Sequence, residues 1–144
     1  DGSNQGGDFN TINHNTFVNS IFVLIATALA SGTGATNNTV TNNLFTSTTN
    51  IFEFDDFAHL TTLDYNLHVS PAIRNDRINY TVAQWATFHG GSVNSIVGTP
   101  TFVSNTPTAI TDYTLDTGSD GKNASSTSTD LGANVSLVGM GVIN

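Results

Sequence analysis

The chain has 144 residues and a formal net charge of −8 at pH 7, from three basic and eleven acidic residues. This balance argues against a nucleic-acid partner, because phosphates need clustered Lys and Arg, and equally against an anionic membrane surface. Cysteine is absent, which excludes a disulfide framework and a thiolate zinc site. The longest apolar run, residues 21–30, is about half the length that crosses a bilayer, so no membrane insertion is predicted.

Similar segments open the chain and predict a repeat architecture. Residues 11–20 recur as 39–48, and 62–70 is a looser third copy. Each segment alternates over a few residues and is punctuated by Asn, Gly or Thr, which favours short strands over helices. Stacked copies give three columns: Ile12 with Val40 and Leu63, Asn15 with Asn43 and Asn66, and Phe17 with Phe45 and His68.

The asparagine column predicts a ladder. Asn tolerates the left-handed backbone of a turn, and stacked amides can hydrogen-bond from one repeat to the next. The alternative is that Asn15, Asn43 and Asn66 are unrelated loop residues. His68 takes the place of phenylalanine in the inner column, which predicts a buried, hydrogen-bonded histidine and not a metal ligand.

A second strand of the first repeat predicts an assembly interface. Residues 21–25 align with 51–55 at an offset of 30. In that register Ile21, Val23 and Ile25 point outward. An exposed stripe of three β-branched aliphatic residues is typical of a contact surface.

Paired carboxylates occupy the outer positions of the aligned strand in the next repeat. Glu53 and Asp55 alternate with phenylalanines and are about 6.5–7 Å apart along a strand, near the spacing used by inverting glycosidases. A solvated acidic edge, a cation site and a catalytic pair all fit this pattern. We therefore assign no metal site and keep Glu53 and Asp55 only as candidates.

Two arginines flank Asp76 after the third repeat. Arg74 and Arg77 are predicted to lie on a loop, where a local ion pair with Asp76 is one interpretation and glycan contact is the other. We keep both arginines as candidate glycan contacts.

One helix interrupts the pattern near residues 81–89. Thr81 is a suitable N-cap and Gly90 a suitable stop. The residues that share one face of this helix are Val82, Trp85, Ala86 and His89. Trp85 therefore fits a core anchor, with sugar stacking as the alternative.

The remaining third predicts short extended pieces and loops. Residues 95–103 and 112–115 are predicted as strands, 117–130 as a loop, and 131–140 as an apolar end that lies back on the body. Residues 116–121 superficially match a calcium loop, but Gly118 and Thr127 replace two expected oxygen ligands.

The order of these elements resembles the C-terminal end of secreted bacterial right-handed parallel β-helix proteins, the pectate-lyase-like superfamily. The segments that carry the resemblance are 64–67, the region around Trp85, 95–97, 100–103, 112–115, 119–124 and 130–133. The resemblance implies an all-β, right-handed parallel β-helix (β-solenoid) of about three coils with a short helix insertion and a C-terminal cap. Residues 1–91 would form the coils, and 92–144 the last strands and the cap. Polysaccharide-degrading members carry outer carboxylates, calcium and an Arg or Lys base.

The N-terminal end departs from that family, because no helix precedes the first repeat to cap it. We therefore expect either self-association or an upstream part of a longer chain to cover this end.

Two functions of different classes fit the pattern. The first is a non-enzymatic extracellular or cell-surface module, such as part of a fibre, sheath or adhesive stalk, which contacts polysaccharide at most. The second is the C-terminal fragment of a β-helix polysaccharide lyase or glycoside hydrolase. We favour the first, with no catalytic residue and no cofactor assigned.

Overall fold

Short strands dominate the fold. A computed structural model describes residues 10–18, 24–26, 38–46, 52–54, 60–69, 72–75 and 78–136. In these residues it contains strands, one α-helix and one 3₁₀ helix. The strands are β1 (Thr11–Asn13), β2 (Thr16–Phe17), β3 (Leu24–Ala26), β4 (Asn38–Thr41), β5 (Leu44–Phe45), β6 (Phe52–Phe54), β7 (Leu60–Asp64), β8 (Leu67–His68), β9 (Ala72–Asn75), β10 (Ile78–Thr81) and β11 (Ile96–Val97); the helices are α1 (Val82–His89) and the 3₁₀ helix Ile110–Tyr113.

The strands form three sheets that the chain visits in turn. Sheet 1 has the order β1-β4-β7, sheet 2 the order β2-β5-β8-β11, and sheet 3 the order β3-β6-β9-β10. All pairs are parallel except β9 with β10. A repeat is therefore one strand from each sheet: β1 to β3, β4 to β6, and β7 to β9. The prediction of a β-rich chain with parallel sheets and one helix is confirmed.

The first two repeats stay in step across all three sheets. They pair 28 residues apart, as in Ile12 with Val40 and Phe17 with Phe45. The second and third pair 23 residues apart in sheets 1 and 2, as in Val40 with Leu63, but two residues less in sheet 3, where Phe52 pairs with Ile73. The predicted apolar and aromatic columns are confirmed.

One apolar core is shared by the three sheets. Buried side chains reach it from sheet 1 (Val40, Leu63), sheet 2 (Phe45) and sheet 3 (Ile73). Because side chains alternate along a strand, Leu44 and its pairing partner Leu67 are buried on the opposite face of sheet 2 from Phe45.

Helix α1 closes over this core, and both of its predicted ends are confirmed. Thr81 and Gln84 form a reciprocal capping box: the Gln84 N–H donates to Thr81 Oγ1 and the Thr81 N–H to Gln84 Oε1. Gly90 ends the helix with φ +66° and donates its N–H to the Ala86 carbonyl. Trp85 is 2% exposed and packs in the shared core, as the anchor interpretation predicted. In the described part of the chain, no helix has the length and apolarity needed to cross a membrane.

The C-terminal segment, residues 98–136, covers the outer face of sheet 2. Leu115 and Leu131 pack on Leu44 and Leu67, with Phe102 and Ala124 beside them. The predicted packing back of the chain end is thus seen at Leu131, whereas residues 137–140 lie outside the described residues.

The predicted strand at residues 112–115 is wrong. Asp112 and Tyr113 lie in the 3₁₀ helix, and only Leu115 forms an isolated bridge, to Phe102. The reason is local: Asp112 Oδ2 accepts the backbone N–H groups of Thr108 and Ala109 at 2.8 and 2.9 Å, which closes a turn. These hydrogen bonds lower the pKa of the Asp112 carboxyl.

Candidate functional site

The three predicted ladder asparagines lie in one column, joined by hydrogen bonds. The backbone N–H and the side-chain Nδ2 of Asn15 both donate to Asn43 Oδ1, at 2.9 and 3.2 Å. Asn43 repeats this geometry on Asn66 Oδ1, at 3.0 and 3.1 Å. Asn43 and Asn66 are fully buried, whereas Asn15 is exposed. The ladder therefore joins all three repeats at the turn between sheets 1 and 2.

Each ladder amide also holds the turn of its own repeat. Asn43 Nδ2 donates to the Thr41 carbonyl two residues earlier and to the Ile12 carbonyl of the preceding repeat, both at 2.9 Å. Asn66 does the same with Asp64 and Val40. One side chain thus donates to backbone carbonyls of two repeats and links the turn to the repeat before it.

The left-handed position is one residue earlier than expected. Positive φ falls on His14, Asn42 and Tyr65, at 52°, 59° and 51°, and not on the ladder asparagines that follow them. The Nδ2 of each ladder asparagine donates to the backbone carbonyl two residues earlier. The residue between the two therefore takes the left-handed conformation that turns the chain. The stacking role and the turn role are therefore divided between two adjacent residues.

A fourth rung was not predicted. The N–H of Asn66 donates to Ser95 Oγ at 3.1 Å, and Ile96 pairs with Leu67 in sheet 2. The signal in the sequence is weak, since Ser95 keeps only the polar acceptor of the asparagines it follows. Serine has no amide to donate onward, so the pattern of paired N–H and Nδ2 donors ends here.

A shorter second ladder was also missed. The backbone N–H and Nδ2 of Asn10 donate to Asn38 Oδ1 at 2.9 and 3.0 Å. The signal in the sequence is that Asn10 and Asn38 are separated by the same 28 residues as Asn15 and Asn43. Leu60 takes this position in the third repeat, so the column of asparagines does not continue.

Aromatic rings form the inner column of sheet 2. Phe17 stacks on Phe45 with centroids 5.1 Å apart, and Phe45 stacks on His68 at 5.5 Å. His68 is fully buried, in line with its predicted place. Burial disfavours the charged imidazolium and lowers the pKa of His68 to about 4.

The predicted interface strand has a different register. Leu24 pairs with Phe52 and Ile25 with Glu53, an offset of 28 and not 30. The expected alignment of Val23 with Glu53 and of Ile25 with Asp55 is therefore wrong. All three sheets keep the same spacing between these repeats, and that common spacing overrides the apolar similarity of the two strands. Ile21, Val23 and Asp55 lie outside the described residues.

Arg74 lies on a strand and not on the predicted loop. It belongs to β9, where its neighbour Ile73 is fully buried in the shared core and Arg74 itself is half-buried. Its register partner on β6 is Glu53. Ile25, Glu53 and Arg74 thus form one row across sheet 3, in which opposite charges occupy adjacent strands. Arg77 and Asp76 lie outside the described residues.

The acidic side chains of the C-terminal part hold loops. Asp120 Oδ2 accepts the Thr99 N–H, and Asp130 accepts Lys122 Nζ at 2.8 Å and the Asn123 N–H. Asp64 similarly accepts the N–H and the Nδ2 of Asn94. Within the described residues no three His, Cys, Asp or Glu side chains group as metal ligands.

A cleft of about 730 Å³ lies between the first repeat and the end of the C-terminal segment. His14, Tyr113, Asn123 and Asp130 are among the residues that line it. Apolar side chains such as Leu131 line it as well, and both Asp130 oxygens are already engaged by Lys122 and Asn123. The described arginine candidate, Arg74, is not part of this lining.

Comparison of the chain with protein-family models, curated proteins and solved structures finds no match.

Proposed function

We propose that the chain is a right-handed parallel β-helix of the pectate-lyase-like kind. Three features support this: the chain visits the three sheets in a fixed cyclic order, successive repeats pair in parallel, and one core receives side chains from every sheet. Each repeat then contacts mainly its neighbours, as in other solenoids.

We further propose that the module is structural, non-enzymatic and extracellular, on a cell surface or in a fibre or sheath. The observation that carries this proposal is the use of polar side chains to join repeats and loops, from Asn43 and Asn66 in the ladder to Asp64, Asp120 and Asp130 outside it. Side chains engaged in this way rigidify a chain with few charges. A composition low in charge, without cysteine and rich in Thr and Asn is usual in secreted bacterial surface proteins.

Localisation tests the proposal directly. Antibodies raised against the 144-residue chain should label the outside of intact producing cells, or filaments attached to them, by immunogold electron microscopy. Mild protease treatment of intact cells should remove this label. Label confined to the cell interior would contradict an extracellular role, whatever the fold.

A second candidate is the C-terminal part of a polysaccharide lyase or hydrolase. The placement of Arg74 on a strand in register with Glu53 favours it, because lyases of the resembled superfamily use a strand-borne basic residue. The test is the ultraviolet absorbance of unsaturated uronate released from acidic polysaccharide. Under the structural proposal no product forms. Product formation that Arg74→Ala abolishes and that Lys122→Ala leaves intact would favour the enzyme.

A further inference from the structure

The asparagine ladder has a direction. In each step the earlier repeat donates and the later repeat accepts: the N–H and Nδ2 of Asn15 go to Asn43 Oδ1, and those of Asn43 go to Asn66 Oδ1. The carbonyl of the preceding repeat accepts in return, from Nδ2 of the later asparagine to Ile12 and to Val40. Every asparagine rung therefore presents its Oδ1 acceptor toward the preceding repeat, and its N–H donates toward the following one, while Nδ2 can donate in both directions.

The first repeat exposes the acceptor side of this ladder. Among the described strands, β1, β2 and β3 are each the last member of their sheet at this end. Asn15 is exposed, and its Oδ1 accepts no hydrogen bond from a described residue. A parallel strand that carried asparagine at the same position would place its N–H and Nδ2 on this oxygen.

The opposite end of the ladder ends in serine, and β7 and β11 are the last described strands of sheets 1 and 2 there. Ser95 accepts from Asn66 but donates its own N–H to the Ser92 carbonyl. Ser92 Oγ in turn donates to the Leu63 carbonyl on the edge of sheet 1 at 2.6 Å. In sheet 3, the antiparallel β10 covers β9. This end offers no asparagine amide to a neighbouring molecule.

The asymmetry disfavours a second folded copy as the occupant of the first-repeat edge. A copy stacked head to tail would present Ser95 to Asn15 Oδ1 with only its hydroxyl hydrogen as a donor, because the Ser95 N–H is already used. If two copies met through their first-repeat edges, the Asn15 Oδ1 of one copy would face the Asn15 Oδ1 of the other, and neither oxygen could donate a hydrogen bond. Only a strand in the same direction, with asparagine one step earlier in the ladder, supplies both donors and the returning carbonyl.

We propose that the edge formed by β1 and β2 is a one-sided docking surface for a preceding repeat of the same pattern, which binds through an asparagine placed on Asn15 Oδ1. The proposal depends on strand pairing and is independent of the proposed function. The preceding repeat pairs in parallel at the spacing of 28 residues seen between the first two repeats.

A tandem duplication of residues 11–38 in the full chain tests this proposal. The duplicated stretch equals the 28-residue offset between repeats, so the added copy keeps the register. The matched control carries Asn15→Ala in the added, N-terminal copy only. Amide hydrogen exchange should slow about tenfold or more at Thr11–Phe17 of the original repeat, and the control should lose most of this protection. Unchanged exchange in the duplicated chain would overturn the proposal.

Two further measurements keep the proposal falsifiable if the duplication does not fold. A peptide copying residues 38–46 carries one asparagine of each ladder, Asn38 and Asn43. It should shift the NMR signals of Thr11–Phe17 in the 144-residue chain. Its Asn43→Ala version should bind at least about fivefold more weakly. Absence of any shift would contradict the proposal. Light scattering of the unmodified chain should give a monomer. A stable dimer or larger assembly that Asn15→Arg dissociates would show that a second copy occupies the edge.

Discussion

Two adjacent residues divide the work of each turn between sheets 1 and 2. The first adopts the left-handed conformation, as His14, Asn42 and Tyr65 do, and the second supplies the ladder amide. Left-handed backbone costs a typical L-residue about 1–2 kcal/mol, and asparagine less than most. Tyr65 is therefore the least suited of the three to its conformation.

Replacing this tyrosine should stabilise the protein. We expect Tyr65→Asn to raise the free energy of unfolding by about 1 kcal/mol, because asparagine tolerates positive φ. Tyr65→Phe is the matched control, since it removes the hydroxyl and keeps the unfavourable conformation. Thermal unfolding measures both. Equal stability of the two variants would show that the left-handed conformation is not what limits this site.

The buried rung should matter far more than the exposed one. Asn43→Ala removes the acceptor for Asn15 and the donor to Thr41, Ile12 and Asn66, so we expect a loss of about 3 kcal/mol. Asn15→Ala removes exposed interactions, and we expect a loss of about 1 kcal/mol or less. Urea denaturation of both variants measures the difference. Similar losses would contradict the ladder as the main link between repeats.

His68 should make the protein sensitive to acid. Its pKa is about 4 when folded and 6.5 in the unfolded reference, so only the unfolded chain takes up a proton between those values. The stability contribution is complete above pH 6.5 and falls by about 3 kcal/mol as the pH drops to about 4. His68→Phe, which copies Phe17 and Phe45, should abolish this part of the loss. Urea midpoints at neutral pH and at about pH 4 measure it; an identical pH dependence in both proteins would contradict it.

At the scale of elements, the sequence pattern predicts which residues stack but not how each strand is shifted. The columns that begin at Ile12 and Phe17 were predicted in the correct register. In each repeat they flank the same asparagine turn, so several positions match at once. In sheet 3 the expected offset was wrong by two residues. A shift of two leaves the inward and outward alternation of a strand unchanged, so apolar periodicity cannot distinguish the two registers.

The candidate site was predictable only in part, for a related reason. Residue type indicated that Asn15, Asn43 and Asn66 stack. The direction of their hydrogen bonds and the rung at Ser95 depend on backbone geometry that no periodicity encodes. Similarly, the charged residues around Asp76 suggested a loop for Arg74, whereas the structure places Arg74 on β9 beside the buried Ile73.

The attachment of the C-terminal segment depends on one close approach. Gly132 has φ +86°, donates its N–H to the Asn42 carbonyl, and lies so near Thr16 that an added Cβ would overlap Thr16 Oγ1. The same Cβ would be 3.1 Å from Leu44 Cβ. A side chain larger than hydrogen fits here only if the Thr16 hydroxyl rotates away from the Ala133 N–H or the segment moves away from sheet 2.

A pair of glycine variants separates this contact from backbone strain. Gly118 has a similar φ of +83° and open space around the added Cβ. We expect Gly132→Ala to destabilise the protein by about 2 kcal/mol more than Gly118→Ala, because both pay for the left-handed backbone and only the first meets Thr16 and Leu44. Melting temperatures give the difference, and faster proteolysis after residue 98 should accompany it in Gly132→Ala alone. Equal destabilisation by the two substitutions would show that the C-terminal segment does not pack closely on Thr16 and Leu44.

For the whole molecule, the two ends of the described fold differ in chemistry. At one end the ladder stops at Ser95, Ser92 bonds to the edge of sheet 1 and the antiparallel β10 covers sheet 3, whereas at the other end β1, β2 and β3 are the last described strands and Asn15 keeps an exposed acceptor. Unpaired strand edges are templates for further pairing.

The attachment of the C-terminal segment to the first two repeats also sets an order of events during synthesis. Strand pairing between repeats joins residues less than 30 apart, from Phe52 with Ile73 at the short end to Asn66 with Ser95 at the long end, and can proceed as each repeat leaves the ribosome. The bond from the Ser126 N–H to Asn42 spans 84 residues, and that from the Ala133 N–H to Thr16 spans 117. The cover over Leu44 and Leu67 therefore stays incomplete on the nascent chain until both Leu115 and Leu131 have been added. In that interval the oldest part of the chain is the part most exposed to chaperones and to aggregation.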